Sequence, residues 1–448
     1  SPQGGKGCED QRDGARRDKG QCGEGKHIED EAIDHRAALA QPRKDEADVS
    51  AVVTAIIADV RARGFAALAD YTKKFDSFDL IEKSAAISAA EVDEAEAACE
   101  AEALAALDLA AARIRAFHEK QRPEDLRYTD DKGVTLGWRW TPIDAAGLYA
   151  PGGRAAYPSS VLMNAIPAKV AGARRLCLCV PTPGGVINPL VLAAAKRAGV
   201  DEIYRVGGAQ AIAAMAYGAG PIRPVDVIVG PGNAYVAEAK RQVFGHVGID
   251  SVAGPSEILI VADGANDPEW IAADLRGRSE HGVDSQSILT TDDAAFADRV
   301  ADFVKAQLAE SPRRVIAEAA WKANGAIIIV RSLDEAPALV DGLASEHLEL
   351  AVADPEALLQ SVRHAGAIFL GRHAPEAIGD YVAGPDHVLP TSRAARYASG
   401  LSVLDFMKRT SIIGCGPEGL AAIGPAAATL ADAEGLPSHA ASIRLRLK

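Results

Sequence analysis

The chain has 448 residues and a formal net charge of -14, and 48% of its residues are hydrophobic and 25% charged. This composition is typical of a globular protein, and its acidic balance disfavours nucleic acid and anionic membranes as partners, which leaves a small molecule or another protein. No apolar run reaches the roughly 18 residues that a transmembrane helix needs.

The first residues are polar. Residues 1–30 are Gly-rich and highly charged, which is typical of a disordered leader or a segment foreign to the fold, and they lack the apolar core of a secretory signal. The six cysteines are scattered and match neither a disulfide framework nor zinc-finger spacing. We therefore expect reduced thiols and a cytoplasmic protein.

Two long helical stretches follow. Apolar residues at helical spacing predict a helix over 47–75 that is interrupted at Gly64, and an Ala-rich stretch predicts a second helix over 89–120.

From Gly147 onward, short apolar runs alternate with helical stretches. The runs lie at 176–180, 203–206, 225–229, 258–261, 286–290, 326–330, 347–352 and 366–370. Repeated β-α alternation with near-continuous apolar strands predicts parallel sheets covered by helices. Because there are too many units for one small sheet, we expect an α/β protein with two Rossmann-like domains, each with a parallel-sheet core, and small N- and C-terminal appendages.

Breaks near Gly147 and Gly254-Pro255 predict the domain boundaries. Residues 1–44 form a leader and arm, residues 45–148 and 255–400 a discontinuous α/β domain, residues 149–254 an inserted domain, and residues 401–448 an appendage that ends in a strand at 441–447.

Three glycine turns follow predicted strands, at 151–153, 207–210 and 230–233. Open α/β sheets bind ligands at such carboxyl ends, and helix N-termini there offer N–H groups to phosphates. A tight turn with no ligand also explains each of them. The one G-x-G-x-x-G match, at 414–419, has only about 30 residues after it and contains Pro417, so it does not predict a dinucleotide site.

Histidines and carboxylates accumulate in the second half of the chain. Glu280-His281 lies in the last turn of a helix predicted to begin near Pro268, on which Arg278 and His281 share a face. Glu346-His347 precedes an apolar strand. Such groups suit a metal site or proton transfer, although a helix-terminal histidine and a capped strand end are also ordinary features. Further candidates on punctuated loops are Asp380, His387 and His439.

Long stretches of the chain, from about Asp45 to Arg446, resemble the histidinol dehydrogenase family. They include GLYAPGG (147–153), RVGGAQAIAAMAYG (205–218), VGPGNAYVAEAKRQV (229–243), SEHLELAV (345–352) and GDYVAGPDHVLPT (379–391). The resemblance implies an NAD-dependent, zinc-dependent cytoplasmic enzyme that oxidises L-histidinol through histidinaldehyde to L-histidine, the last step of histidine biosynthesis. It also implies a homodimer with sites shared between subunits, NAD on the 149–254 domain and dimerisation through 401–448.

The resemblance implies a role for each matched residue. The implied catalytic bases are His347 for the alcohol and Glu346 for the water that hydrates the aldehyde. The implied zinc ligands are His281, Asp380 and, from the partner subunit, His439. The implied substrate contacts are Ser159, Ser256, His387 and Glu434, together with His281, His347, Asp380 and His439. The implied cofactor contacts are Tyr149, Gln210 and Asn233.

One position departs from the family. The family has glutamine, a further zinc ligand, three residues before His281, where this chain has Arg278. A guanidinium has no lone pair for a metal. Either three ligands hold zinc, or Arg278 pairs with Asp380 and displaces it. Arg154 and Asp386 also differ from the family at positions beside the site.

Because of these differences from the family, two other functions are also considered. Arginines suit anionic groups, so a related NAD-dependent dehydrogenase of another polar, possibly sulfonated, alcohol is one alternative. A metal-free, non-catalytic binding protein is the other.

Overall fold

The computed structural model describes residues 26–29, 49–80, 85–152, 157–252 and 254–448. Most of the predicted leader, and also Arg154, lie outside these residues. The strands are β1 (Lys26–Glu29), β2 (Leu126–Thr129), β3 (Val134–Pro142), β4 (Ala145–Tyr149), β5 (Arg175–Cys179), β6 (Glu202–Tyr204), β7 (Val227–Val229), β8 (Gly248–Ile249), β9 (Glu257–Ala262), β10 (Gln286–Thr291), β11 (Ala326–Ile329), β12 (His347–Ala351), β13 (Ala367–Leu370) and β14 (Met407–Cys415).

The strands are connected mainly by α-helices. These are α1 (Ser50–Arg63), α2 (Phe65–Asp76), α3 (Ala89–Ala97), α4 (Ala101–Glu119), α5 (Pro158–Ala171), α6 (Pro189–Ala198), α7 (Gly208–Tyr217), α8 (Ala234–Val243), α9 (Pro268–Ser279), α10 (Ala294–Glu310), α11 (Arg314–Asn324), α12 (Ala336–Leu343), α13 (Pro355–Leu359), α14 (Ala377–Tyr381), α15 (Pro417–Ala433) and α16 (Pro437–Arg444). The described part of the chain contains no helix long and apolar enough to cross a membrane.

The first parallel sheet has five strands in the order β6-β5-β4-β7-β8. Alternate residues of β4 enter different cores: Ala146 and Leu148 pack with α5 and α6, whereas Ala145 and Tyr149 pack with α7 and α8. Because both faces are covered, the strands are apolar throughout, which is why their positions could be predicted.

The N-terminal helices pack on this first sheet. Helix α1 contacts α7 and α8, and α3 and α4 contact α6 and α5. The helix predicted over 47–75 is confirmed with its break at Gly64, but the second is divided into α3 and α4. The predicted division into domains stays a prediction.

The second parallel sheet has six strands in the order β1-β11-β10-β9-β12-β13. Helices α9, α10 and α11 cover one face, and α12 packs on the other. The predicted α/β fold with two parallel-sheet cores is therefore confirmed.

The C-terminal region differs from the prediction. Strand β14 joins β3 and β2 in a three-stranded antiparallel sheet, and α15 and α16 follow it. The strand predicted at 441–447 is wrong because Pro437 begins helix α16, in which Ala440 and Ile443, three residues apart, pack on α15. His439 accordingly lies on a helix and not in a turn.

Candidate active site

Charged side chains gather at the amino edge of the second sheet. Strand β9 begins at Glu257 and its neighbour β12 begins at His347, in parallel register. Helix α9 ends beside them, so that Arg278 and His281 lie close to His347.

The imidazole of His347 is buried and held at both ring nitrogens. Nδ1 lies 3.1 Å from the carbonyl oxygen of Glu257 and 3.4 Å from Oε2 of Glu346. Both neighbours accept hydrogen bonds, so the network assigns the proton to Nδ1. Nε2 is therefore the nitrogen that carries the lone pair, and this lone pair faces Nη2 of Arg278 at 3.3 Å, with Oε1 of Glu376 at 3.4 Å.

The carboxylate of Glu346 is fixed by the neighbouring strand. Its Oε2 accepts a hydrogen bond from the Glu257 amide at 2.9 Å, and Oε2 of Glu257 accepts one from the Glu346 amide at 3.2 Å. Burial alone would raise the pKa of Glu346, but His347, Arg278 and the Glu257 amide lower it overall. Glu346 is therefore a buried carboxylate next to the imidazole. The carboxylate of Glu280, in contrast, accepts a hydrogen bond from the Ser311 hydroxyl.

Arg278 is the most enclosed charge of the site, with 2% of its surface exposed. Its Nη2 forms an ion pair with Glu376 and lies 3.6 Å from Oδ2 of Asp380, and its Nη1 faces Nδ1 of His281 at 3.4 Å. Burial would raise the pKa of Asp380, but the Arg278 guanidinium and then nearby histidines lower it.

His281 lies at the mouth of this cluster. Its Nδ1 is 3.5 Å from the hydroxyl of Ser256 as well as close to Arg278. Desolvation, followed by the positive charge of Arg278, lowers the pKa of His281 to about 4. The imidazole is therefore neutral at pH 7.

Two further acids lie beneath Arg278. Oε1 of Glu349 accepts a hydrogen bond from the Glu376 amide at 2.6 Å. Burial, and then the proximity of Asp274, raise the pKa of Glu349 well above its usual value, and burial raises that of Asp274 to about 7. The fixed negative charge near Arg278 therefore comes mainly from Glu376 and Asp380.

The His387 loop connects this edge to the first sheet. Nδ1 of His387 donates to the carbonyl oxygen of Asp380 at 2.9 Å, and Nε2 lies 3.2 Å from the hydroxyl of Ser160 in the first turn of α5. Ser159, the predicted substrate contact, is the preceding residue of the same helix. The loop thus connects the amino edge of the second sheet to the helix that follows β4 in the first.

The predicted cofactor residues lie at the carboxyl edge of the first sheet. The hydroxyl of Tyr149 accepts a hydrogen bond from the Gly208 amide at 3.0 Å. Gln210 is buried and its Oε1 has no hydrogen-bond partner, while the side chain of Asn233 caps α8 by accepting from two backbone amides. These groups line the three glycine turns.

A buried ion pair fixes one of these turns. Lys240 pairs with Asp250, and both side chains are almost fully buried. Lys240 also donates to the carbonyl oxygen of Gly230 at 3.0 Å, and Asp250 accepts from the Gly230 amide at 2.8 Å. Gly230 has a φ of +117°, and a Cβ there would lie 2.1 Å from the Tyr149 carbonyl oxygen, so only glycine fits.

The last two predicted residues lie apart from this cluster within one chain. Glu434 and His439 are exposed, on the turn after α15 and on α16. Among the described residues, no hydrogen bond or ion pair joins either of them to His281 or Asp380. Their predicted arrival from a partner subunit stays a prediction.

Comparisons with known proteins agree with the resemblance. The family model described as histidinol dehydrogenase matches residues 39–447. A histidinol dehydrogenase of Rhodospirillum rubrum is 64% identical over 92% of this chain and 95% of its own length, and one of Cereibacter sphaeroides is 60% identical over 92% and 95%. The chain belongs to the histidinol dehydrogenase family.

The fold agrees as well. The crystal structure of a histidinol dehydrogenase from Elizabethkingia anophelis, 36% identical, covers 94% of this chain and 98% of its own length with a TM-score of 0.91. The predicted family and enzyme class are therefore confirmed.

Sequence reasoning missed three residues of this family member's site. Glu376 lies four residues before Asp380, a spacing that places two carboxylates together when the segment is helical, and this could have been noticed. Glu257 is a charged residue at the start of an apolar strand, which is also a signal. Ser160 gave no signal beyond its neighbour Ser159.

Zinc, which the resemblance implies, does not fit the residues as they stand. His347, Glu376 and Asp380 offer ligand atoms that all lie within 4.8 Å of one another, as a metal ion needs. Nη2 of Arg278, however, contacts all three of these side chains. The position that suits a metal cation is therefore taken by a cationic side chain.

Proposed function

We propose that this chain oxidises L-histidinol to L-histidine through histidinaldehyde, with two NAD molecules as hydride acceptors, in the cytoplasm. The observation that carries the proposal is the buried Glu346-His347 pair, in which Nδ1 is anchored and the lone pair of Nε2, which faces Nη2 of Arg278 without substrate, is the proposed acceptor of the substrate proton. A neutral imidazole held in one tautomer is the usual general base near pH 7.

In the first oxidation, Nε2 of His347 takes the proton of the substrate hydroxyl while the carbinol carbon transfers hydride to NAD. The products are the aldehyde, one NADH and a protonated imidazole that releases its proton. Glu346 then takes a proton from water as the oxygen of that water adds to the aldehyde carbon. This step gives the anion of the hydrate, which loses a second hydride to a second NAD and becomes the carboxylic acid. Glu346 and the acid then release their protons to solvent.

The cofactor's proposed place is the carboxyl edge of the first sheet, with Tyr149, Gln210 and Asn233. Glycine turns there leave room for phosphates next to helix N-termini. The unpartnered Oε1 of Gln210 is a buried acceptor that a ligand can satisfy. Ser256, His281, Asp380 and His387 surround the proposed substrate, and His387 also connects the two edges.

The active unit is proposed to be a homodimer in which Glu434 and His439 enter the partner's site. The C-terminal region exposes several large apolar side chains, among them Ile413 at 75%, Leu430 at 64% and Leu445 at 65%. Apolar side chains clustered at a surface are typical of a subunit interface.

The anionic-alcohol alternative loses its main support. It depended on an arginine that is free to bind a sulfonate or carboxylate, but Arg278 is buried and already paired with Glu376 and close to Asp380. Arg154, the other arginine, lies outside the described residues.

The activity is tested by incubating the purified protein with L-histidinol and NAD. We expect two NADH for each L-histidine that forms, measured by absorbance and chromatography of the same sample. NADH formation that is faster with another alcohol, or none at all, would reject the proposed substrate.

The shared site is tested by mixing two inactive variants, His347→Ala and His439→Ala, after dissociation and reassociation. Because each mixed dimer would contain one site with both histidines intact, activity should return to roughly one quarter of the wild-type value. If His439 serves the site of its own chain, the mixture stays inactive.

A further inference from the structure

The side chain of Arg278 lies where the carboxylates of Glu376 and Asp380 need a nearby positive charge. Its Nη2 lies 3.3 Å from Nε2 of His347 and 3.6 Å from Oδ2 of Asp380, and it forms an ion pair with Glu376. These three side chains are the group whose ligand atoms converge closely enough to hold a metal ion. The Nη2 amino group of Arg278 therefore contacts every member of the potential ligand set.

The surroundings hold the guanidinium in that position. Arg278 lies in the last turn of α9, with 2% of its surface exposed, and Nη1 adds a contact to His281 at 3.4 Å. Its positive charge lies against the buried carboxylate of Glu376 and the partly buried carboxylate of Asp380. Removing the side chain would leave these carboxylates without a cation, which is costly at a buried site.

A metal ion and this side chain compete for the same groups. A guanidinium stays protonated and offers no lone pair, so it cannot serve as a ligand. A divalent ion bound to the same oxygens would lie a few ångströms from a positive charge in a poorly solvated site, where like charges repel strongly. The two cations cannot occupy the site together.

We infer that the Arg278 guanidinium replaces the divalent metal ion in this chain, as a fixed internal cation that pairs with Glu376, lies close to Asp380 and excludes Zn²⁺. The inference rests on the proposed function, since that function places substrate at this cluster.

The test measures metal binding by the full-length protein without substrate. Wild-type protein and three variants, Arg278→Gln, Arg278→Met and Arg278→Lys, are stripped with a chelator and dialysed against Zn²⁺. Zinc per chain is then measured by elemental analysis, and binding of Co²⁺ by its visible absorbance. Arg372→Gln is the matched control, because Arg372 forms a paired contact with Asp263 at the opposite edge of the sheet.

Wild type, Arg278→Lys and Arg372→Gln should remain zinc-free after dialysis. Arg278→Met should bind zinc more tightly than wild type because the cation is gone, and Arg278→Gln should bind still more tightly because it adds an oxygen ligand. We expect a gain in affinity on the order of 100-fold for Arg278→Gln, the scale on which metal-site residues act.

Stoichiometric zinc in wild type would overturn the inference, and so would an Arg278→Met affinity equal to that of wild type. The wild-type measurement decides the question even if a variant fails to fold, which circular dichroism reveals. Turnover of L-histidinol by the same samples is recorded separately. Absence of turnover in every sample, including zinc-loaded Arg278→Gln, would reject the proposed function and leave the metal result standing.

Discussion

The two parallel sheets present their functional groups in opposite ways. The first sheet presents its carboxyl edge, where glycine turns and helix N-termini offer mainly backbone groups. The buried charge pair at this edge, Lys240-Asp250, is directed at the backbone of Gly230. The second sheet uses its amino edge, where buried charged side chains contact one another. Backbone groups suit a common cofactor, whereas placed side chains suit proton transfer, so the contrast suggests a division of labour.

The largest expected effect tests whether proton transfer belongs to the second sheet. His347→Ala should lower kcat by about 10²–10⁴-fold, since a general base contributes on that scale. Steady-state NADH formation measures this loss. The control is His373→Ala, which changes an exposed histidine whose ring is tilted against that of Trp270. A loss of less than tenfold would remove His347 from the proposed mechanism.

The next effect tests whether the charge pair of the first sheet is structural. Lys240→Met leaves Asp250 buried without its partner, which should lower the free energy of unfolding by about 3–5 kcal/mol. Urea denaturation measures the change.

The matched control is Lys169→Met, which breaks a more exposed pair with Asp201 and should cost at most about 1 kcal/mol. If both variants lost the same free energy of unfolding, the buried Lys240-Asp250 pair would contribute no more to stability than the more exposed pair.

A third prediction concerns the loop that connects the sheets. Asp386 and His118 are both buried, and Oδ2 of Asp386 lies 3.9 Å from Nε2 of His118. Burial raises the pKa of Asp386 well above its usual value and lowers the pKa of His118. Asp386→Asn keeps an oxygen for the Val388 amide and removes the buried charge. It should raise the free energy of unfolding by about 1–2 kcal/mol at pH 7.

The pH dependence has a defined sign. Because the folded-state pKa of Asp386 is raised, wild-type stability falls as pH rises from the unfolded-state pKa of about 4 toward the folded-state value. The advantage of Asp386→Asn should therefore vanish below about pH 4 and grow above it. Urea denaturation across this range measures it, and a constant difference would show that the charge is not its cause.

The smallest effect tests the cofactor edge. Asn233→Ala removes the cap of α8 and should cost about 1 kcal/mol of stability. Asn233→Ser retains a capping oxygen. If Asn233 also contacts NAD, both variants should raise the KM for NAD several-fold with little change in kcat. An unchanged KM in both would limit Asn233 to capping.

The comparison also shows what the sequence could predict. Most strands of the two parallel sheets, β5–β7 and β9–β13, were predictable because they are short apolar runs between helices. Strand β1 was missed because it lies in the polar segment expected to be disordered, and β8 was missed because it is only two residues long. Helix α16 was mistaken for a strand because alternating apolar residues at 443, 445 and 447 imitate a β pattern, although Pro437 marks a helix start.

The candidate site was predictable only in part. Residues next to one another in sequence, such as Glu346 and His347, were found from their neighbours. The pairing of Arg278 with Glu376 joins residues almost 100 positions apart, and it depends on how α9 ends beside β12. No local pattern encodes such a contact, so the sequence suggested a conflict at Arg278 without showing which groups would surround it.

Glu257 gives this arrangement a practical consequence. Its carbonyl, amide and carboxylate contact His347, Glu346 and the amide of Ser392. The geometry of the proposed catalytic pair, Glu346 and His347, therefore depends on β9 and β12 remaining joined. If β9 and β12 separate, Glu346 and His347 lose the hydrogen bonds that fix their positions, so the proposed activity should be lost at the same time. Heat inactivation and melting of the second sheet should therefore coincide, and activity can report directly on the integrity of that sheet during storage.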